Sequence, residues 1–92
     1  MDDLTDEQQM LMVKFDNVEA FDALFRKHAP GLTGYLWRRC GDRGAAEDLA
    51  QETFLSVWRA RKSYEPSARF STWLYTIARN ACANRGVQGA RR

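Results

Sequence analysis

Residues 70–84, FSTWLYTIARNACAN, carry two stripes at helical spacing, and this pattern constrains the chain most. Phe70, Trp73, Leu74, Ile77, Ala78 and Ala81 recur at i, i+3, i+4, i+7, i+8 and i+11, an apolar face made for burial. Thr72, Tyr75, Thr76, Arg79, Asn80, Ala83 and Asn84 form the other side. An ordinary solvated face would hold Glu and Lys. Aromatic, hydroxyl, amide and guanidinium groups are instead the side chains that hold nucleic acid.

The same period recurs upstream, with no strand-like alternation, repeat or low-complexity tract. Thr5-Asp6-Glu7-Gln8 reads as a capping box after Leu4 and predicts a helix over 6–15. Asp16 or Asn17 can cap the next helix, where Phe21, Leu24, Phe25 and His28 keep helical spacing. Pro30 and Gly31 predict a kink or break, after which Leu32, Tyr35, Leu36 and Arg39 or Cys40 resume the period. Gly41 to Gly44 reads as a turn. A third helix is expected over 45–62, with acids at its start and bases at its end, as the helix dipole favours. Residues 64–69 form a loop. Ser71 caps the last helix, Phe70 staples against Tyr75, and Gly86 and Gly89 end it. The expected fold is all-α, a small bundle of four to five helices.

Ninety-two residues make one domain. No apolar run approaches the roughly 18 residues of a membrane span, and the polar, acidic start is not a signal peptide. Cys40 and Cys82 are isolated in sequence from each other and from His28, so a disulfide framework or zinc site is not expected. A reduced cytosolic protein, with each cysteine a buried or half-buried apolar residue, fits better. No nucleophile is set beside the single histidine, no paired carboxylates form an acid/base site, and no Gly-rich phosphate loop occurs. No enzymatic activity, cofactor or metal is expected.

The net charge of +2 hides an asymmetry. Residues 1–30 hold seven acids and three bases, residues 31–58 four acids and three bases, and residues 59–92 one acid and eight bases. A basic last third suits a polyanion or a solvated surface with a basic tail. Within it, Arg61, Lys62, Tyr64, Arg69 and Phe70 crowd a short span in which cations grip phosphate and aromatics stack or pocket a base. Tyr64 and Phe70 can equally be core staples, and Trp73 can serve both ends. Along the last helix, Arg79 can hold phosphate, Asn80 and Asn84 can meet a base edge, and Thr72 and Thr76 can touch phosphate or a methyl group. On the third helix, Ala46, Leu49 or Ala50, Phe54 and Val57 are candidates for burial. Asp48, Gln51, Glu52 and Leu55 line up at i, i+3, i+4 and i+7. That ridge reads either as a soluble face or as a dock for a basic helix, with Leu55 and Trp58 as anchors.

The string Glu47-Asp48-Leu49-Ala50-Gln51-Glu52-Thr53-Phe54-Leu55-Ser56-Val57-Trp58, followed by Tyr64-x-Pro66, Phe70-x-Thr72-Trp73-Leu74 and Ile77-Ala78-Arg79-Asn80, resembles region 2 of bacterial sigma factors of the extracytoplasmic-function group. Ala20-Phe21, Leu24-Phe25 and Pro30 fit as well, so the resemblance covers residues 15–86. It implies an N-terminal helix or extension over 1–14, a region 2 domain over 15–86 and a basic linker stub over 87–92.

The implied partners are core RNA polymerase, through the clamp helices of its β′ subunit, and the non-template strand of the promoter −10 element. An anti-sigma factor covering both surfaces is a further implied partner. The core-binding residues would be Asp48, Gln51, Glu52, Phe54, Leu55 and Trp58. The DNA-binding residues would be Arg61, Lys62, Tyr64, Arg69, Ser71, Thr72, Trp73, Tyr75, Thr76, Arg79, Asn80 and Asn84. The place implied is the bacterial cytoplasm, without membrane insertion.

The resemblance has departures. The family often has Asp where this chain has Asn84, and a base where it has Val87. The second, helix-turn-helix domain that reads the −35 element is missing, which implies either an isolated region 2 fragment or a natural one-domain regulator. The rival readings are a helical protein-interaction module with no DNA activity of its own and a general single-strand binder. The latter has no use for Asp48 and Glu52.

Overall fold

A computed structural model describes residues 4–90, with side chains through Asn84. Four α-helices follow one another: α1 (Asp6–Lys14), α2 (Val18–Cys40), α3 (Arg43–Arg59) and α4 (Phe70–Ala90), with a single 3₁₀ turn, Arg61–Ser63, after α3. The all-α bundle is the fold the periodicity predicts.

Caps set where these helices begin. The Thr5 hydroxyl accepts from the Gln8 amide at 3.1 Å, and the Gln8 side chain accepts from the Thr5 amide at 2.9 Å. Asn17, not Asp16, caps α2 by accepting from the Ala20 amide. Asp42 caps α3, which therefore starts at Arg43. The earlier start leaves no acid in the first turn of α3, contrary to the dipole expectation. Gly41 closes α2 in the left-handed region at φ 73°, where a side chain would be strained.

Of the kink or break expected at Pro30, the break does not occur: α2 continues through the proline. Leu24 lies fully buried on one side of the proline, Leu32 and Leu36 on the other. Packing on both sides outweighs the roughly 3 kcal/mol that a mid-helix proline costs. Arg26 and Pro30 are exposed, so water can reach the carbonyl that the proline leaves unpaired.

The last helix also differs from expectation. It starts at Phe70, so Ser71 lies inside it rather than capping it, and it continues through Gly86 and Gly89. Its first amide is held from outside: the Phe70 N–H donates to the Glu7 carboxylate of α1 at 2.7 Å. The Phe70 ring is fully buried and meets Tyr64, Trp73 and His28. Tyr75 instead meets Tyr35 of α2, so the expected Phe70–Tyr75 staple is replaced by two separate aromatic contacts. Leu74 and Ala78 continue the buried stripe, with Trp73, Ile77 and Ala81 half-buried beside it.

Helix α1 is part of the core, since Met10 and Val13 are fully buried. It also holds the loop before α4. Lys14 Nζ donates to the Tyr64 carbonyl at 2.5 Å, and Lys62 donates to the Lys14 carbonyl. Asp16, in the left-handed region at φ 69°, accepts from Arg61 at 2.8 Å. Arg61 further donates to the Trp58 carbonyl at 2.7 Å and stacks 4.0 Å over the Trp58 ring. This reach back ends α3 at Arg59, short of the expected Lys62.

The two cysteines are not isolated in space. Cys40, the last residue of α2, and Cys82 of α4 hold their sulfurs 3.7 Å apart, both half-buried.

Asp6 anchors α1 to α2 through Lys27 at 2.7 Å and His28 at 2.9 Å. Burial raises its pKa, but the hydrogen bonds and charges of these two partners outweigh burial and hold the carboxyl below its usual 3.8. An acid with a depressed folded pKa gives stability that is present above its unfolded pKa and lost as pH falls through the folded one. Asp6→Asn should therefore cost roughly 1–2 kcal/mol at neutral pH. In urea titrations at stepped pH the gap to wild type should begin to narrow as pH falls toward 3.8 and should close only below the lowered folded pKa. Arg61→Ala should cost about 1–3 kcal/mol, because it removes a stacked cation and two charge-assisted bonds. Arg69→Ala, at an exposed position, should stay within about 0.5 kcal/mol in the same titration.

Candidate polymerase and nucleic-acid surfaces

The buried stripe of α3 consists of Ala46, Leu49, Ala50, Thr53, Phe54 and Val57. Thr53 satisfies its hydroxyl by donating to the Leu49 carbonyl at 2.7 Å. With that side fixed inward, Asp48, Gln51, Glu52 and Leu55 all face solvent, and Leu55 keeps 52% of its surface exposed. Beside this ridge, Phe21, Asp22 and Phe25 of α2 and Gln51, Phe54 and Leu55 of α3 line a mostly apolar groove of about 320 Å³. Phe54 is 3% exposed and locked edge-on by Phe21 and Phe25, so it forms the groove's base rather than a projecting contact. Trp58 is sandwiched between Phe21 and Arg61. The ridge thus combines carboxylates, an amide and an exposed leucine with an apolar slot, which is the chemistry of a dock for a basic helix with apolar side chains.

On α4 the inward turn of Phe70, Leu74 and Ala78 leaves Thr72, Thr76, Arg79, Asn80, Ala83 and Asn84 exposed along one side. Thr76 donates to the Thr72 carbonyl at 2.8 Å, which leaves its oxygen free to accept. Arg69 is exposed at the head of this stripe. Among the described residues no ion pair holds Arg69 or Arg79. Ser71, Trp73 and Tyr75 are half-buried on its flanks. Trp73 packs against Tyr64 with ring centroids 5.1 Å apart and is half-buried, so it is shared between core and surface.

Three loop residues do not sit as the expected DNA grip requires. Tyr64 is fully buried, and its hydroxyl donates to the Ala68 carbonyl at 2.6 Å. Burial pushes the phenol's pKa up, with the nearby charges of Glu7 and Asp6 adding to the effect. It is therefore a core staple that shapes the loop and not a stacking platform. Arg61 and Lys62 both pair with Asp16, which offsets one of their two charges; Arg61 is mostly turned into the fold and Lys62 stays exposed. Asp16's carboxyl is held below its usual pKa by hydrogen bonds from Arg61 and then Lys62.

The sequence pattern missed residues of α2 that border the α4 stripe. The Tyr35 and Tyr75 rings meet edge-on at 5.1 Å, and Arg39 lies 5.5 Å over Tyr35. Arg38 and Arg39 are exposed. They extend the cationic surface from α4 onto the end of α2. The signal was present as Tyr35-x-x-Arg38-Arg39, but only the Tyr35–Tyr75 contact reveals which helix it joins. Helix α2 thus shoulders both surfaces. The groove uses Phe21 to Phe25 and the stripe uses Tyr35 onward, about 15 Å further along the axis.

The comparisons with known proteins bear on the family and the fold. Residues 24–92 match the family model for sigma-70 region 2. The RNA polymerase sigma factor CarQ of Myxococcus xanthus is 54% identical over 63 residues, covering 68% of this chain and 36% of CarQ. The ECF RNA polymerase sigma factor RpoE of Cereibacter sphaeroides is 36% identical over 74 residues, covering 79% of this chain and 39% of RpoE. The chain thus spans well under half the length of these relatives. A solved structure of an engineered region 2 of sigmaE in complex with GTAAAA superposes with a TM-score of 0.90 at 32% identity, covering 100% of this chain and 96% of that one. An acidic-apolar ridge on one helix, a polar cationic stripe on another, and these matches across most of the sequence identify the chain as a sigma-70 region 2 domain of the extracytoplasmic-function group.

Proposed function

We propose that this domain couples core RNA polymerase to promoter DNA at the start of transcription. The α3 ridge docks on the clamp helices of the β′ subunit, and the α4 stripe captures the non-template strand of the −10 element as the duplex opens. The observation that carries this reading is the coexistence, on one small bundle, of an acidic-apolar dock and an exposed stripe of Thr72, Thr76, Arg79, Asn80 and Asn84. The sigmaE region 2 bound to GTAAAA, alike over the whole chain, supports a short nucleotide strand as the ligand.

In the docked state, Asp48 and Glu52 steer a cationic helix, while Leu55 and the phenylalanine-lined slot take its apolar side chain out of water. Arg79 on α4 and Arg69 just before it hold phosphates. Asn80 and Asn84 offer amide donors and acceptors to bases, with Thr72 and Thr76 between them. Ser71, Trp73 and Tyr75 flank the strand, with Trp73 giving its exposed edge. With Tyr64 inside the core, the pocket for an extruded base is bounded by the loop residues 65–69 and Trp73. No bond is made or broken. A strand held on α4 is withdrawn from pairing, so its binding energy favours the melted state.

The reading keeps the region 2 domain at residues 15–86; α1 packs on it through the buried Met10 and Val13 and through the bond from the Phe70 amide to Glu7. Residues 87–92 lead toward a further domain, and Arg91 and Arg92 lie outside the described residues.

The two surfaces separate by mutation. Arg79→Ala should weaken binding of a labelled −10 non-template oligonucleotide about tenfold in fluorescence anisotropy, the size of one charge-assisted contact, and leave β′ clamp binding unchanged. Asp48→Arg should abolish binding to a β′ clamp fragment with the helical CD signal and oligonucleotide affinity intact. Wild type should prefer this strand to its duplex. Equal affinity for both, or clamp binding retained by Asp48→Arg, would remove the corresponding half of the reading.

A further inference from the structure

The sulfurs of Cys40 and Cys82 lie 3.7 Å apart although 42 residues separate them in sequence. They belong to different helices. Cys40 is the last residue of α2 and is followed by the left-handed Gly41, while Cys82 lies well inside α4. Both side chains are half-buried, so a small oxidant can reach them while the core behind them stays closed. A disulfide has its sulfurs about 2.05 Å apart, so closure asks for an approach of about 1.7 Å. Side-chain rotation supplies part of this, and the frayable end of α2 can supply the rest.

We propose that Cys40 and Cys82 form an oxidant-responsive pair that closes to an intramolecular disulfide, fastening the end of α2 to the second half of α4. The oxidant class is a hydroperoxide. One thiolate attacks the terminal peroxide oxygen; the O–O bond breaks, and the leaving alkoxide or hydroxide takes a proton to become alcohol or water. The resulting sulfenic acid is attacked by the second sulfur. The S–S bond forms, the S–O bond breaks, and the hydroxide leaves as water with the second thiol's proton. Two sulfurs lose two electrons in all, and one peroxide bond gains them. Holding the partner within 4 Å favours this closure over further oxidation of the sulfenic acid.

The consequence falls on the second half of α4. Cys82 lies three residues after Arg79 and two residues from both Asn80 and Asn84, on the side of the helix turned away from those two amides. The bond would clamp that turn to α2 beside Arg39 and close a long loop containing all of α3. The proposal concerns thiol chemistry and stability and stands or falls apart from any assignment of DNA or polymerase contacts.

The test treats the full chain with hydrogen peroxide and measures intact mass, non-reducing mobility and melting temperature. The expected result is a monomer lighter by about 2 Da, reversed by dithiothreitol. Its melting temperature should rise by roughly 10 °C, since the closed loop is long. Amides of residues 79–84 should also exchange more slowly in the oxidised protein. Cys40→Ser and Cys82→Ser should each lose both the mass change and the thermal shift. Cys40→Ala and Cys82→Ala serve if either serine variant fails to give the reduced wild-type CD spectrum. Stepwise oxygen addition on the separate cysteines, disulfide-linked dimers, or a bond formed without a rise in melting temperature would overturn the proposal.

Discussion

The position and rotation of α4 rest on the buried joint at Phe70. Its ring is enclosed by Tyr64, Trp73 and His28, and its amide is held by the Glu7 carboxylate across the bundle. A helix has one rotational phase. Once Phe70, Leu74 and Ala78 point inward, the outward direction of Thr72, Thr76, Arg79, Asn80 and Asn84 is fixed with no further interaction needed. The contact with Glu7 explains why α1 matters. The short N-terminal helix supplies an anion to the positive end of α4, where no residue of α4's own first turn is acidic.

The same logic holds for α3 and explains how one small bundle carries two unlike surfaces. Inward Leu49, Thr53 and Val57 leave the acids and Leu55 outside. An acidic ridge close to a polyanion site would oppose binding there. The bundle keeps the two apart, with the acidic ridge and its groove against the first half of α2 and the cationic stripe against its last third. Unbroken passage of α2 through Pro30 preserves that spacing. Within the intervening loop, Asp16 pairs with Arg61 and Lys62 and offsets one of their two positive charges, while the exposed cations of α4 and the end of α2 have no such partner among the ion pairs of the described residues.

What could be read from the sequence follows from the range of the interactions. The Thr5–Gln8 capping box, the two stripes of α4 and the ridge of α3 are local features, and the fold class and the exposed stripes came from them; the family came from the resemblance of the strings over 47–58 and 64–80. Tyr64, Arg61 and Lys62 looked like nucleic-acid contacts because their composition suits that role. Their true partners, Ala68 aside, come from α1 and α3 or from Asp16, tens of residues away in several cases, and no local pattern announces those. The same is true of Cys40 and Cys82, whose approach depends on how α2 and α4 pack. At Pro30 the break that the local backbone penalty allowed does not occur, because burial on either side of it holds the helix.

The central claim is that two separate faces of one rigid bundle bind two different partners. The most direct test is a pair of NMR titrations of the isotope-labelled chain, one with a −10 non-template oligonucleotide and one with a β′ clamp-helix fragment. The oligonucleotide should shift Thr72, Thr76, Arg79, Asn80 and Asn84, and the clamp fragment Asp48, Gln51, Glu52 and Leu55, with both ligands bound at once. Overlapping sets of shifted residues, or displacement of one ligand by the other, would contradict it.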